Sequence, residues 1–269
     1  PYTQKNLFIE LYNKGDKAFD WKATPHAPWI KLSKQNGRTL LQERISIDVD
    51  WSKVPKRERI TGEISITSDG RTELVYLPLF NPQSPSTNDL KGLYVEDNGC
   101  ISVNAGKFHR KQENRDIQIR SVMGLGYERE AIQLGEATKP SQRSGRINQI
   151  PKVEYDFYSF SSGTVTVHIY ALPVFAIDSQ RDTRYGVMID DGVLYWMNTA
   201  AREYSSQWSQ NVARNSAIST IRLNIKNPGK HTLKLLCGDP GMIIQKIVID
   251  FGGMKRSYLG PESTMVEPI

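Results

Sequence analysis

Two carboxylates on one predicted strand are the first residues whose chemistry the sequence suggests. Glu154 and Asp156 stand two positions apart in the alternating run 153–158, so their side chains project from the same face. A pair of carboxylates can act as acid and base in the hydrolysis of a glycosidic bond. The alternation also fits a simpler interpretation, in which Val153, Tyr155 and Phe157 face a core and the acids are solvated. The sequence favours this simpler interpretation.

Aromatic side chains that could stack on sugar rings form a second candidate site. Trp196, Tyr204 and Trp208 lie in or beside predicted loops in the second half of the chain. Such rings combine a flat apolar face with a polar tip, which suits a sugar platform. The same rings often pack in the core of a β-sandwich instead. We expect sugar binding only if the three side chains are exposed and coplanar in a groove.

Histidine and cysteine spacing argues against a metal or nucleophile site. The four histidines lie far apart in sequence, without the short spacings of metal ligands, and two cysteines exclude a multi-cysteine zinc site. No partner for a nucleophilic cysteine is discernible. A disulfide between Cys100 and Cys237 is compatible with an exported protein, and the sequence leaves that pairing open. We therefore assign no metal ligand, cofactor or catalytic residue.

The first block of the chain has the pattern of short antiparallel strands. In the clearest run, 44–51, Ile45, Ile47 and Val49 alternate with polar residues. About six such strands are predicted, with turn signals every 8–12 residues, and no helical period is sustained. Residues 1–81 are therefore predicted to form a β-sandwich. The prolines and small polar residues that follow predict a linker over 82–92.

Strand patterns resume in the second block. The runs 163–170 and 243–250 are strongly apolar or alternating, and Asp190-Asp191-Gly192 predicts a hairpin turn between strands 185–189 and 193–197. We predict polar loops over 107–118 and 139–149. Only residues 200–215 could hold a short helix. We predict a second, jelly-roll sandwich over 93–263 and a tail over 264–269. The fold class is thus all-β, with two sandwiches in succession.

Composition and charge exclude two classes of protein. Of the 269 residues, 38% are hydrophobic, which is enough for a packed core. The sequence contains no apolar run of the ~20 residues that a membrane-spanning helix needs. The net charge of +6 is spread evenly, with 13 basic and 11 acidic residues in 1–90 and 22 and 18 in the remainder. A nucleic-acid binder concentrates its basic charge, so no nucleic-acid partner is expected.

Two segments of the second block carry a resemblance that goes beyond composition. One is the run 153–170 with its continuation at 184–192, and the other extends from Pro228 to Ser263. Together they resemble the C-terminal domain of glycoside hydrolase family 115, the xylan α-1,2-glucuronidases. The first block, with its segments 28–33 and 49–51, is similar to the small immunoglobulin-like module that can precede that domain.

The resemblance implies that this chain is the tail of a longer secreted enzyme. In that family, (4-O-methyl)glucuronic acid is removed by an inverting mechanism, and the catalytic carboxylates lie in upstream domains. No catalytic residue carries over to this sequence. We expect a non-catalytic accessory region that packs against those catalytic domains and helps form a subunit interface, such as a homodimer, in an extracellular or periplasmic enzyme. The alternative is a carbohydrate-binding module for xylan or a related polysaccharide.

The second block is also similar, more distantly, to calcium-containing carbohydrate-binding sandwiches. Their opening strand carries a Glu-Ala-Glu motif, where this chain has Asn104-Ala105-Gly106, and a late aspartate corresponds to Gln245. Calcium requires several oxygen ligands, preferably charged ones. The loss of three acids therefore implies that no metal or other cofactor is bound.

Overall fold

The computed structural model describes residues 1–3, 5–142, 146–255 and 257–267. The chain forms two compact units, Pro1–Asp89 and Leu90–Ile269. Parts of the predicted loop 139–149 and of the predicted tail, at 143–145 and 268–269, lie outside the described residues.

The first unit is a small sandwich of antiparallel strands. One sheet has the order β1-β5-β3 and the other β4-β2-β6-β7. These strands are β1 (Leu7–Tyr12), β2 (Phe19–Pro25), β3 (Ile30–Leu32), β4 (Asn36–Thr39), β5 (Gln42–Val49), β6 (Arg57–Ser68) and β7 (Arg71–Asn81).

Alternation along the strands builds the core of this unit. In β5, Ile45, Ile47 and Val49 are buried while their neighbours are exposed, as the sequence predicted. They pack with Trp21 and Ile64 from the opposite sheet. Burial of each large apolar side chain contributes about 1.5–3 kcal/mol. The short β4 completes the second sheet beside β2.

The second unit is a larger sandwich of two sheets with a single α-helix among its described residues. Its strands are β8 (Tyr94–Val95), β9 (Cys100–Asn104), β10 (Arg110–Gln112), β11 (Ile119–Met123), β12 (Glu130–Leu134), β13 (Lys152–Ser159), β14 (Gly163–Ala171), β15 (Arg184–Ile189), β16 (Tyr195–Asn198), β17 (Ala217–Ile225), β18 (Gly229–Cys237) and β19 (Met242–Asp250). The helix α1 (Ser206–Arg214) lies within the segment for which the sequence allowed one.

We name the two sheets of this unit by their strand order. The front sheet is β10-β13-β18-β15-β16, with β8 beside β13, and the back sheet is β11-β12-β19-β14-β17, with β9 beside β19. Their inner faces share one apolar core that includes Tyr155, Phe157, Tyr185 and Ile247. The all-β prediction of two successive sandwiches, immunoglobulin-like and then jelly-roll, is confirmed.

Three segments of this unit differ from the sequence interpretation. The polar segment 107–118, predicted as a loop, contains β10, whose residues pair with β13. The predicted strand 193–197 is β16 and begins only at Tyr195. The segment predicted as a tail is integrated: Thr264 is fully buried, its N–H donates to the carbonyl of Ser102, and Val266 donates to Leu93. The polar strand β10 gives only a weak local signal, because its partner β13 is distant in sequence.

The predicted linker also takes a specific structure at its second half. Leu90 is fully buried and belongs to the second unit, while Asp89 ends the first.

No helix among the described residues has the length and apolarity to cross a membrane.

Candidate functional site

Trp196 lies on the outer face of the front sheet, on its edge strand β16. Two glycines leave room for the indole: a Cβ at Gly238 would lie 2.8 Å from the ring atom Cζ3, and one at Gly186 would lie 3.3 Å from it. The half-buried ring also packs with Met188 and Leu236. Trp196 is therefore seated on the sheet itself, rather than carried by a loop.

Tyr204 and Trp208 form a separate aromatic pair where the chain enters α1. Their ring centroids are 5.3 Å apart, with an angle of 54° between the planes. Tyr204 is 80% exposed and has φ of +62°. A bulky side chain rarely adopts this left-handed conformation. The hydroxyl of Ser205, at the N-cap, accepts the N–H of Trp208 at 3.1 Å and fixes the start of the helix.

The far end of α1 is anchored by two tyrosines. The hydroxyls of Tyr127 and Tyr258 both donate to the carbonyl of Arg214, at 3.0 and 3.3 Å. This carbonyl belongs to the last turn of the helix, where backbone acceptors otherwise lack a partner. Asn215 ends the helix in the left-handed conformation, with φ of +51°. The aromatic pair thus stands on an element that is held at both ends.

The three predicted sugar-binding side chains fall into two places. Tyr204 and Trp208 are brought together, whereas Trp196 belongs to the front sheet and α1 packs against β17 of the back sheet. The rings of the close pair are tilted rather than coplanar. The local sequence contains no signal for this separation, because it depends on which sheet each strand joins.

The carboxylates of Glu154 and Asp156 project from the outer face of β13, and Arg110 binds both. Its Nε donates to Glu154 Oε2 at 2.8 Å and its Nη2 to Asp156 Oδ1 at 2.7 Å. The hydroxyl of Thr232 also donates to Asp156 Oδ1, at 2.8 Å. The apolar residues that alternate with them, Val153, Tyr155 and Phe157, are buried. The predicted alternation is confirmed, and the acids form an ion-paired cluster across β10, β13 and β18.

Arg110 sets the charge of this cluster. Its hydrogen bonds are the main cause that lowers the pKa of Asp156 below the ordinary value, and Thr232 adds to them. The same contacts raise the pKa of Arg110. A general acid in glycoside hydrolysis needs a raised pKa, so that it carries a proton at neutral pH. The pKa of Asp156 is lowered instead, so this carboxyl stays ionised at neutral pH.

Both cysteines and His231 make structural contacts. The thiols of Cys100 and Cys237 donate to the carbonyls of Asp97 and Leu134, each at 3.5 Å, so the disulfide that the sequence left open is not formed. Burial raises the pKa of Cys237 to about 12, which disfavours the nucleophilic thiolate. His231 binds the Asp190 carboxylate through Nδ1 at 2.8 Å.

The residues at the expected calcium positions do not fit calcium. The side-chain oxygen of Asn104 accepts the N–H of Gly106 at 2.9 Å, and the side-chain amide of Gln245 donates to the carbonyl of Asn215 at 3.3 Å. The Glu130 side chain fills the space beside Gly106, where a Cβ would lie 2.2 Å from Cγ. Calcium needs several oxygens turned toward one point. The described residues contain no group of three or more acids, histidines or cysteines that could hold a metal.

A buried ammonium group is the feature that the sequence interpretation missed. The Lys246 side chain is 3% exposed, and its Nζ lies 2.9 Å from Glu128 Oε1. It also donates to the carbonyls of Leu259 and Pro261, at 3.1 and 2.7 Å. The signal was present, since a lysine interrupts the apolar run 243–250. Its acceptors come from a turn and from the C-terminal segment, which no local pattern identifies.

Comparisons with known proteins assign the second unit to a protein family. A model of the glycosyl hydrolase family 115 C-terminal domain matches residues 93–263. Among solved structures, the chain is similar to a family GH115 4-O-methyl-α-glucuronidase with specificity for decorated arabinogalactans. The identity is 21% and the TM-score 0.44, and the match covers 64% of this chain and 19% of that enzyme.

Two further solved structures come from other carbohydrate-active proteins. One is the C-terminal CBM6 of a marine laminarinase from Zobellia galactanivorans, at 17% identity and TM-score 0.33, covering 56% of this chain and 98% of that one. The other is a GH26-CBM35 β-(1,4)-mannanase from Podospora anserina, at 12% identity and TM-score 0.36, covering 57% and 28%. The comparison with curated proteins gave no match.

Proposed function

This chain belongs to glycoside hydrolase family 115, and from that membership we propose that it is a non-catalytic accessory region of a glycosidase that removes (4-O-methyl)glucuronic acid from xylan. Its partners are the catalytic domains of the same polypeptide and, through a subunit interface, a second copy of the enzyme. The enzyme acts outside the cytoplasm, in the extracellular space or the periplasm. The chain spans 19% of the family 115 enzyme to which it is similar, which supports a role as part of a larger protein.

The ion-paired carboxylates carry the proposal that this region is non-catalytic. Glu154 and Asp156 are the pair that the sequence offered for acid and base chemistry, and Arg110 binds both. The side chains of the two acids are 18% and 24% exposed on the sheet face. This arrangement keeps Asp156 ionised and holds β10 to β13. It lacks the raised pKa that would allow Asp156 to donate a proton to a leaving sugar.

An activity assay of the chain alone tests the non-catalytic role. The chain and its intact parent enzyme are each incubated with 4-O-methylglucuronoxylan, and the released acid is measured by anion-exchange chromatography. We expect release by the parent and none by the chain. Release by the chain that Glu154→Gln abolishes would overturn the proposal.

Hydroxyl-radical footprinting tests the supporting role. Exposed Met and Tyr side chains react readily, and Tyr12, Tyr76 and Met123 are 59%, 59% and 74% exposed in this chain. If the region packs against catalytic domains, some of these side chains become protected in the intact enzyme. We expect a contiguous group of exposed residues to lose reactivity there. An identical footprint in the chain and in the parent would show that this region supports no neighbouring domain.

The exposure of Tyr204 favours a second candidate function, a carbohydrate-binding module for xylan, although its ring is tilted against that of Trp208 and not coplanar with it. Tyr204 holds a strained conformation while 80% exposed, and such strain is often retained at binding sites. Calorimetric titration with xylo-oligosaccharides and aldouronic fragments tests this function. We expect saturable heat that Tyr204→Ala and Trp208→Ala abolish, with the exposed Tyr195→Ala as the control. Trp196→Ala tests the third predicted residue in the same way. Absence of heat would leave only the supporting role.

A further inference from the structure

One end of the second unit gathers several connections, which we call the loop end: 135–142, 172–183, 199–216 and 238–241. Hydrogen bonds join them at their bases. The N–H of Thr199 donates to the carbonyl of Thr183 at 3.1 Å, and that of Gly241 to Leu134 at 3.0 Å. The hydroxyl of Ser216 donates to the carbonyl of Ala171 at 3.3 Å. Loops from both sheets therefore meet at this end.

The loop end contains a cavity of about 200 Å³. Its lining consists of residues 174–177 and 181–183 from one connection and of Ala137 and 240–242 from two others. Two large apolar side chains of the lining remain in water: Phe175 is 65% exposed and Ile177 is 52% exposed. Covering such apolar surface is favourable, so the cavity is suited to a ligand with an apolar face.

Arg181 fixes the shape of the cavity. Its Nη1 donates to the carbonyls of Ala137 and Lys139, each at 2.7 Å, and its Nε lies 3.1 Å from Asp178 Oδ2. The two bonds to carbonyls connect the 172–183 loop to the 135–142 loop. A Cβ on Gly241 would lie 2.7 Å from that of Ala137, so the 135–142 and 238–241 loops are in close contact. A preformed cavity loses little entropy when a ligand binds.

Asp182 supplies the polar group of the cavity. Its side chain is 42% exposed, and its Oδ2 lies 3.1 Å from Arg184 Nη1. Arg184 is itself held by Asp239, which is 2% exposed. Among the described residues only Oδ2 of Asp182 is engaged, which leaves Oδ1 to accept hydrogen bonds from a ligand.

These features select a class of ligand. A pyranose ring has a face of C–H groups that can pack on Phe175, and hydroxyl groups that can donate to Asp182. Drug-sized ligands occupy roughly 300–1,000 Å³, so this smaller cavity suits one ring. The charged residues that line the cavity are Arg181 and Asp182. Arg181 is engaged by the carbonyls of Ala137 and Lys139 and by Asp178, so the charged atom left to face a ligand is Asp182 Oδ1, which disfavours a uronic acid and favours a neutral sugar.

We propose that the loop-end cavity binds a single neutral pyranose, at a chain end or side branch of a polysaccharide, with its C–H face on Phe175 and a hydroxyl donating to Asp182. This assignment rests on the proposed role within a carbohydrate-cleaving enzyme. It adds a ligand class that is distinct from the acidic sugar released by the parent.

Titration of the whole chain, followed by NMR, tests the proposal. The probes are the methyl glycosides of xylose, galactose and glucose, with methyl glucuronide as the acidic comparison. We expect saturable binding of at least one neutral probe in the millimolar range, and weaker binding of the glucuronide than of the glucoside. Phe175→Ala and Asp182→Asn should each weaken binding by about tenfold or more. Both side chains are exposed, so thermal unfolding of these variants should match that of the wild type.

Matched variants separate this site from the others. Phe8→Ala removes a phenylalanine that is 49% exposed in the first unit, and Asp191→Asn removes a turn aspartate; neither should change the binding of the neutral probe. Failure of all neutral probes to saturate, or wild-type binding by Phe175→Ala, would overturn the proposal. Loss of binding in Tyr204→Ala alone would move the site to α1. The supporting role is tested independently by footprinting, and it stands or falls without this result.

Discussion

Arg110 determines whether the two carboxylates of β13, Glu154 and Asp156, are suited to catalysis. Two acids at i and i+2 on a strand are suited to catalysis only if one of them carries a proton. The Arg110 guanidinium binds both carboxylates and lowers the pKa of Asp156, so Asp156 is not the proton carrier that catalysis would need. The motif becomes a cross-strand clamp between β10 and β13.

The clamp predicts a pH-dependent contribution to stability from Asp156. The pKa of this carboxyl in the folded protein lies below its ordinary value of 3.8, chiefly because of Arg110. Folding therefore favours the ionised form. The stabilisation is complete above the ordinary pKa and is lost as pH falls through the folded-state value. We expect Asp156→Asn to lower the free energy of unfolding by about 1 kcal/mol at pH 7, and by much less near pH 2.

Urea denaturation of the wild type and of Asp156→Asn at both pH values measures this difference. The exposed Glu73→Gln, on β7, is the control and should change stability little. An Asp156→Asn deficit that is equal at both pH values would contradict the ionic origin of the effect.

At the scale of elements, α1 depends on its ends. A nine-residue helix is marginal by itself, so caps and packing decide its stability. Ser205 caps the first turn, and the Tyr127 and Tyr258 hydroxyls satisfy the Arg214 carbonyl. The same contacts position the Tyr204 and Trp208 rings.

Two serine variants of this helix should act in opposite directions. Ser205→Ala removes the side-chain oxygen that accepts the Trp208 N–H, which should cost about 1 kcal/mol in helix stability. Ser209→Ala, on an exposed helical position, raises helix propensity and should stabilise α1 by a few tenths of a kcal/mol. Hydrogen exchange of the α1 amides measures both. Faster exchange in Ser209→Ala than in Ser205→Ala would refute the capping role.

The C-terminal segment is held to β19 by Lys246. Loss of one partner from a buried ion pair leaves the other charge uncompensated. This loss lowers the free energy of unfolding by about 3–5 kcal/mol when both partners are fully buried. Because the Glu128 side chain is 20% exposed, we expect Lys246→Met to cost about 3 kcal/mol. Lys107→Met removes a pair with Glu267 whose side chains are 45% and 68% exposed, and should cost less than about 1 kcal/mol.

Urea denaturation compares the two methionine variants, and limited proteolysis reports on the C-terminal segment. We expect the segment around 259–261 to become susceptible only in Lys246→Met. Equal stabilities of the two variants would show that the buried ammonium contributes no more than a surface charge.

At the scale of the whole molecule, the chain is two units with separate cores. Ile64 belongs to the first core and Ile169 to the second, and both are fully buried. We predict two calorimetric transitions. Ile64→Ala and Ile169→Ala should each destabilise one unit by about 2–5 kcal/mol and shift only the corresponding transition. A single transition that both variants lower would contradict independent folding.

The sequence by itself determined the local architecture. Alternation at Ile45, Ile47 and Val49 predicted β5, and the run around Glu154 and Asp156 predicted β13, because strand periodicity is a property of neighbouring residues. The resemblance in 153–170, 184–192 and 228–263 likewise identified the family domain that the comparison shows.

Tertiary structure alone decided which side chains meet. Arg110 reaches Glu154 only because β10, predicted as a loop, joins β13, and Lys246 finds its acceptors in segments far along the chain. Trp196 and Tyr204 belong to elements of different sheets, because β16 is a strand of the front sheet whereas α1 packs against β17 of the back sheet. Sugar binding by these residues stays a prediction. Strand pairing between distant segments is selected by burial of the whole core, so no local pattern of residues specifies it.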